Sequence, residues 1–148
     1  MFKRTLLAAL AVPALLSTPA HAGPHGDDLA RCLVESTSTD DRVALVRWMF
    51  TAVAAHPAVA SIASVTEAER EAANKATGEQ FVRLLTESCL DKARAALRYE
   101  GPAALQQGFQ VLGQVAAGEL FTHPNVAQAM AGLQKHTDAS KLELLRQQ

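Results

Sequence analysis

DDRVALVRWMFTAVAA, residues 40–55, is the stretch that decides the fold, because it is apolar on almost every side of a helix. Between its acidic start and its alanine-rich end, only Arg47 and Thr51 form a polar strip, four residues apart. A helix on a protein surface shows polar residues over a much wider face. The segment therefore predicts a helix at the centre of a bundle.

Sequence signals mark both ends of this helix. Ser38 and Asp41 stand three residues apart, which is the spacing of a capping box, and Pro57 follows shortly after the last alanine. A capping box closes the first turn of a helix, and a residue before proline is pushed out of helical conformation. We therefore expect the helix to begin near Asp40 and to end near Ala55.

The rest of the chain predicts further helices and no strands. Alanine and leucine dominate, β-branched runs are short, and no apolar–polar alternation is bounded by hairpin turns. We expect an all-α fold, a compact bundle of about five to six helices that forms a single domain over residues 23–148. The other helices are expected at 29–35, 66–98, 103–122 and 125–135, with a short last one at 138–145.

The helix expected at 66–98 is too long to stay straight in such a bundle. It opens with a second capping box, Thr66 and Glu69, and ends before Gly101-Pro102. At 1.5 Å per residue it would span about 48 Å, about twice the length of the helix at 40–55. We expect a kink at Thr77-Gly78, without a reversal of direction, because one Thr-Gly step is too short for a loop.

The first 22 residues have the features of a cleaved secretory signal peptide. Lys3 and Arg4 precede an apolar run at 6–16, and Ala20-His21-Ala22 offers a small-x-small cleavage site. This run is too short to span a bilayer, and no later stretch is apolar enough to do so. We expect cleavage after Ala22, a periplasmic or secreted mature chain, and no membrane span.

Cys32 and Cys89 are the only cysteines, and an exported chain with two cysteines usually forms one intramolecular disulfide. The close CxxC spacing of redox and metal pairs is missing. The bond would close a loop of about 58 residues and restrict the unfolded chain by about 4 kcal/mol. We therefore expect a structural disulfide.

The charge distribution argues against nucleic acid as a partner. The sequence has 14 Lys and Arg against 15 Asp and Glu, and two basic residues lie in the expected signal, which leaves the mature chain at about −3. These charges are interspersed, without a basic block to follow a phosphate backbone. No motif indicates a cofactor.

Two His-Pro steps, HPAVA at 56–60 and HPNVA at 123–127, form the first candidate site. In one interpretation, each is a helix end followed by a helix start, since proline favours the first helical turn. In the other, His56 and His123 form a metal or polar site, for which they must be close. If the helices alternate up, down and up, both histidines lie at one end of the bundle, and we expect this arrangement. Zinc requires three or four ligands, and no HExxH spacing supplies them.

Arg47 and Trp48 form the second candidate site, because a lone tryptophan beside a charged residue could line a ligand pocket. Alternatively, Trp48 lies in the core, while Arg47 reaches the surface or pairs with an acid. The core position is the favoured one for Trp48. No GxSxG motif accompanies the serines, and we assign no catalytic residue.

The segments CLVESTSTDDRVALVRWMF, AHP, LLTESC, YEG and LGQVAAGELF resemble small exported proteobacterial helical proteins that carry no assigned function. The resemblance covers most of the mature chain and implies a bacterial, exported, helical protein. It implies no activity and no ligand.

These features together favour an exported helical protein that binds a partner protein or a small apolar ligand without catalysis. The alternative function is that of a metal-binding protein or an enzyme that uses His56 and His123.

Overall fold

The structure, a computed structural model, describes residues 23–146, so that the expected signal peptide lies outside the described residues. Over this range the chain is helical without strands, and Cys32 and Cys89 form a disulfide. The predicted all-α fold with one disulfide is therefore confirmed. The α-helices are α1 (Pro24–Glu35), α2 (Thr39–Val53), α3 (Pro57–Ala60), α4 (Glu67–Arg83), α5 (Leu90–Tyr99), α6 (Pro102–Thr122), α7 (Pro124–Ala131) and α8 (Ala139–Leu142).

Both expected capping boxes are present. The Asp41 N–H donates to the Ser38 hydroxyl at 3.1 Å, and the Ser38 N–H donates back to the Asp41 carboxylate at 2.9 Å. Thr66 and Glu69 repeat this exchange at 3.2 and 2.8 Å. Because these contacts are local, the starts of α2 and α4 follow directly from the sequence.

The core lies where α1 packs against α5 and α6, and where α2 joins them. Its largest fully buried side chains are Leu29, Leu33, Leu84 and Leu112. Gly108 of α6 faces α1, and a Cβ at this position would lie 3.0 Å from Leu33 Cδ1. The missing side chain therefore lets α1 and α6 approach closely.

The long helix expected at 66–98 is interrupted, but not at Thr77-Gly78, through which α4 runs unbroken. A π-helical turn, Leu84–Ser88, follows α4, and Cys89 then leaves the helical conformation with φ −121° and ψ 22°. The Cys89 N–H donates to the Leu84 carbonyl at 2.8 Å, five residues back, as in a π-helix. Since α4 packs along α2 and α5 packs along α1, the chain changes its partner helix at this break.

Helix α2 runs antiparallel to α4. Near the start of α2, Asp41 pairs with Arg83 at 2.7 Å, and near its end the Thr51 carbonyl accepts from Arg70 at 2.9 Å. Burial alone would raise the pKa of the Asp41 carboxyl, but hydrogen bonds from Ser38 and the charge of Arg83 lower this pKa below its ordinary value. The start of α2 is thus held by an ionised carboxylate.

The C-terminal part of the chain extends from the bundle. Helix α7 contacts the end of α6 and the 3₁₀ turn that follows it, Gly132–His136, while α8 contacts its own 3₁₀ turn, Glu143–Arg146. From Pro124 to Arg146, every residue whose burial is described is at least partly exposed. None of the helices within residues 23–146 is long and apolar enough to cross a membrane.

Replacement of both Cys32 and Cys89 by alanine should lower the free energy of unfolding by about 4 kcal/mol, because the unfolded chain then loses its cross-link. Urea unfolding followed by circular dichroism measures this loss. Reduction of the unaltered protein is the control and should give a similar loss. Equal stability of the oxidised and reduced proteins would contradict a structural role for the bond.

Thr77→Val should raise the free energy of unfolding by about 1 kcal/mol, because the buried Thr77 hydroxyl has no hydrogen-bond partner in the described chain. Thr51→Val is the matched control, since the Thr51 hydroxyl is also buried but donates to the Trp48 carbonyl at 2.7 Å. This second variant should lose stability. Thermal unfolding of both variants checks that their changes in stability have opposite signs. A destabilised Thr77→Val protein would contradict an unpaired Thr77 hydroxyl.

Candidate functional site

The structure separates His56 from His123. Near the start of α2, Arg42 pairs with Glu119 near the end of α6 at 2.9 Å, so His123, which follows α6, lies at this end. Thr39, the first residue of α2, and His123 line one small groove of about 240 Å³. His56 follows the opposite end of α2, whose 15 residues span about 22 Å.

The expected shared end for His56 and His123 is therefore wrong. The expectation assumed a helix 66–98 that kinks without reversing its direction, so that the bundle alternates up, down and up. Instead, the break at Leu84–Ser88 directs α5 along α1, and α6 then ends beside the start of α2. The physical reason is that this break decides in which direction each later helix of the bundle runs.

Each histidine serves as the N-cap of the helix that follows it. The Nδ1 atom of His56 accepts from the Ala58 N–H at 3.2 Å, and that of His123 accepts from the Asn125 N–H at 3.3 Å. In the part of the chain that the structure describes, no three His, Cys, Asp or Glu side chains are grouped to hold a metal ion. The geometry thus gives both imidazoles a local backbone partner.

Arg47 and Trp48 face different surroundings. The Trp48 Nε1–H donates to the Asn74 side-chain oxygen at 3.0 Å, and its half-buried ring meets Phe81 edge-on with centroids 6.3 Å apart. Phe81 in turn lies against Phe109, with centroids 4.2 Å apart. Arg47 is exposed and lines a groove on the outer side of the bundle. Trp48 therefore belongs to the aromatic packing between α2, α4 and α6.

One face of α2 remains open, although its sequence predicts a central helix. Helices α4 and α6 cover two sides, and Leu45 and Val46 are buried there. On the third side, Val43 and Phe50 are each 60% exposed. These two residues and Arg47 follow each other at spacings of four and three residues, so they share one helical face.

The open face of α2 forms one wall of a groove of about 640 Å³, which we call the α2–α4 groove. Its other wall comes from α4 and from the segment that precedes it. The lining is mainly apolar, and four of its residues are alanines. The apolar members are Val43, Ala44, Phe50, Val65, Ala72, Ala73 and Ala76.

Charged side chains flank this apolar lining. Arg47 lies between Val43 and Phe50, while Asp40 and Glu69 supply two carboxylates. Hydrogen bonds from the backbone and hydroxyl of Thr66 lower the pKa of Glu69, and the charge of Arg47 lowers it further. The groove therefore presents apolar contact area with one cation and two anions around it, which suits docking of an amphipathic surface.

Arg47 was predicted from the sequence as a pocket residue, whereas Val43, Phe50 and the alanines of α4 were not. The signal was the all-round apolar character of residues 40–55, which we attributed entirely to burial. Comparisons with protein-family models, curated proteins and solved structures found no match for this chain.

His123→Ala should speed hydrogen exchange of the Asn125 amide several-fold, because this amide loses its acceptor at the start of α7. His123→Asn is the matched control, since asparagine is a favoured N-cap and should restore protection. Amide exchange measured by NMR gives the result. Unchanged exchange in the alanine variant would contradict the capping role.

Proposed function

We propose that the protein is exported to the periplasm or beyond it and acts there, without catalysis, by binding an amphipathic helix of a partner protein. The α2–α4 groove is the binding surface. The observation that carries this proposal is the open face of α2, where Val43 and Phe50 are each 60% exposed beside an apolar groove.

The shape of the groove supports a helix rather than a small apolar ligand. Pockets for small molecules enclose most of the ligand surface. Here the two largest apolar side chains of the lining stay mostly exposed, and four residues of the lining are alanines, whose small size lets another backbone come close. A helix with apolar residues at i, i+4 and i+7 would cover such a groove along its length.

The charges around the groove support a partner that is polar outside its apolar stripe. Arg47 can pair with a carboxylate of the partner, and Asp40 and Glu69 can pair with basic side chains. Such exposed pairs add specificity more than affinity. Apolar contacts with Val43 and Phe50 would then supply most of the binding energy.

The disulfide supports an extracytoplasmic location. Cys32 and Cys89 are bonded, and Cys89 is 2% exposed. Disulfides persist in oxidising compartments and are rare in the cytosol. The bond therefore agrees with the export expected from residues 1–22.

A designed amphipathic helical peptide of about 15 residues, with leucines at i, i+4 and i+7, should bind the α2–α4 groove. NMR shifts should move for the amides of Val43, Phe50, Ala72 and Ala76. Phe50→Glu should weaken binding about tenfold, because the contact with one aromatic ring contributes on the order of 1.5 kcal/mol.

Val82→Glu is the control for this titration. Val82 lies on α4, is also 60% exposed, and does not line the groove. This variant should bind the peptide like the unaltered protein. Shifts that are absent, or that fall outside the groove, would contradict the proposed binding surface.

A further inference from the structure

The C-terminal arm, residues 124–146, contains exposed apolar side chains. Met130 is 58% exposed and Leu133 is 71% exposed, and within residues 23–146 α7 makes extensive contact only with α6 and its own 3₁₀ turn. Val126, Met130 and Leu133 stand at i, i+4 and i+7. This spacing is that of a helix that inserts one face into a groove.

The dimensions of α7 and its 3₁₀ turn match the α2–α4 groove. Eight α-helical and five 3₁₀ residues span about 22 Å. On α2, the lining runs from Asp40 to Thr51, about 17 Å. The arm can therefore cover the whole groove.

The charges also match. Lys135 and His136 follow the apolar stripe of α7, while Asp40 and Glu69 flank the groove. A basic end of the arm would thus meet a carboxylate. Arg47, between the two apolar side chains of the groove, has its charge offset by the chain's own Glu69, which leaves Asp40 as the carboxylate for the basic end of the arm.

The joint between α6 and α7 directs the arm away from its own bundle. A single residue, His123, separates the helices, and its Nδ1 atom accepts from the Asn125 N–H. Pro124 restricts the backbone at the first position of α7. This short, capped joint holds α7 at the tip of α6, outside its own groove.

Building on the proposed function, we propose that the partner helix is α7 of a second copy of this chain. Two copies would exchange their arms around a two-fold axis, so that each groove receives the α7 of the other copy. Such an isologous contact is closed and buries the same surface twice.

The test is photo-crosslinking of purified residues 23–148. A benzophenone amino acid replaces Val43 in one sample and Val82 in the control sample. Irradiation at position 43 should give covalent dimers, at least five times more than at position 82. Mass spectrometry should map the link to residues 126–136. Met130→Glu/Leu133→Glu should abolish the dimer, and circular dichroism should show that this exposed pair leaves the fold intact.

Two other cross-linking results would overturn the proposed exchange of arms between two copies. A link from position 43 to the arm within one chain would mean that the groove takes its own α7. A dimer linked outside the arm would mean that another surface mediates association.

The designed peptide separates this inference from the proposed function. If the peptide binds the groove and no dimer forms, the groove binds helices and the second-copy partner is wrong. If neither occurs, both proposals fail.

A second, independent observation concerns the start of the described chain. The Glu100 carboxylate accepts hydrogen bonds from the N–H groups of His25 at 2.9 Å and Gly26 at 2.8 Å. These groups belong to the first turn of α1, which has no side-chain cap of its own. A residue about 75 positions away therefore caps this helix.

Gly23 lies directly against the same carboxylate. A Cβ added to Gly23 would collide with the carboxylate of Glu100. The Gly23 Cα thus lies beside this carboxylate, and the amine of a chain that starts at Gly23 would be one bond from that Cα. At the start of a helix, a positive charge is unfavourable unless an anion offsets it.

We infer that the mature chain begins at Gly23 and that its α-ammonium group pairs with Glu100. In this step a signal peptidase uses water to hydrolyse the Ala22–Gly23 peptide bond, leaving a carboxylate on Ala22 and an ammonium group on Gly23. Glu100 then serves as the cap of α1 and as the counter-ion of the new terminus.

The mass of the exported protein should correspond to a chain that starts at Gly23, and another start would overturn the inference. Glu100→Gln should lower the unfolding temperature by about 3 °C more in a chain with a free Gly23 amine than in one with an acetylated Gly23. Equal losses in the two chains would show that no ion pair forms.

Discussion

The disulfide between Cys32 and Cys89 fixes the point at which the chain changes its partner helix. Cys89 follows the π-helical turn Leu84–Ser88, and the bond holds it against the last turn of α1. Because α5 is anchored there, it packs along α1, whereas α4 diverges and packs along α2. The start of α1, the end of α5 and the start of α6 then meet at Glu100 and Gly101. Gly101 has a positive φ of 80°, which makes the tight turn between α5 and α6.

The open side of α2 is a consequence of this path. Helix α4 takes one side of α2 and α6 takes another, while α1 and α5 are held together by the disulfide. The remaining elements of the described chain leave the third side uncovered. Helix α3 has only four residues, and α7 leaves the bundle at His123. An open apolar surface therefore remains where residues 23–146 have no further helix to place.

Features that depend on neighbouring residues could be predicted from the sequence, and those that depend on distant contacts could not. The capping boxes at Ser38 and Thr66 are local, and both appear as expected. The helix break was misplaced because Gly78 is a visible helix breaker, whereas the segment LLTES at 84–88 contains neither glycine nor proline. The break lies beside Cys89, whose position is set by its bond to α1.

The same distinction applies to the candidate site. The pairing of Cys32 with Cys89 followed from counting, since the chain has two cysteines. The relative position of His56 and His123 depends on whether α2 and α6 run in the same or in opposite directions. A single misplaced break inverts this relation. The α2–α4 groove required knowledge of which side of α2 stays uncovered, and no periodicity within residues 40–55 contains that information.

Fold stability alone does not explain the side chains on this uncovered side. At exposed helical positions, Glu, Lys or Ala have a higher helix propensity than Val or Phe by a few tenths of a kcal/mol. With Val43 and Phe50 each 60% exposed, α2 also forgoes much of the roughly 1.5–3 kcal/mol that full burial of each would give. A helix with one face selected for its own core and another for contact with a partner becomes apolar on almost every side. The proposed partner helix would thus account for the apolar pattern of residues 40–55.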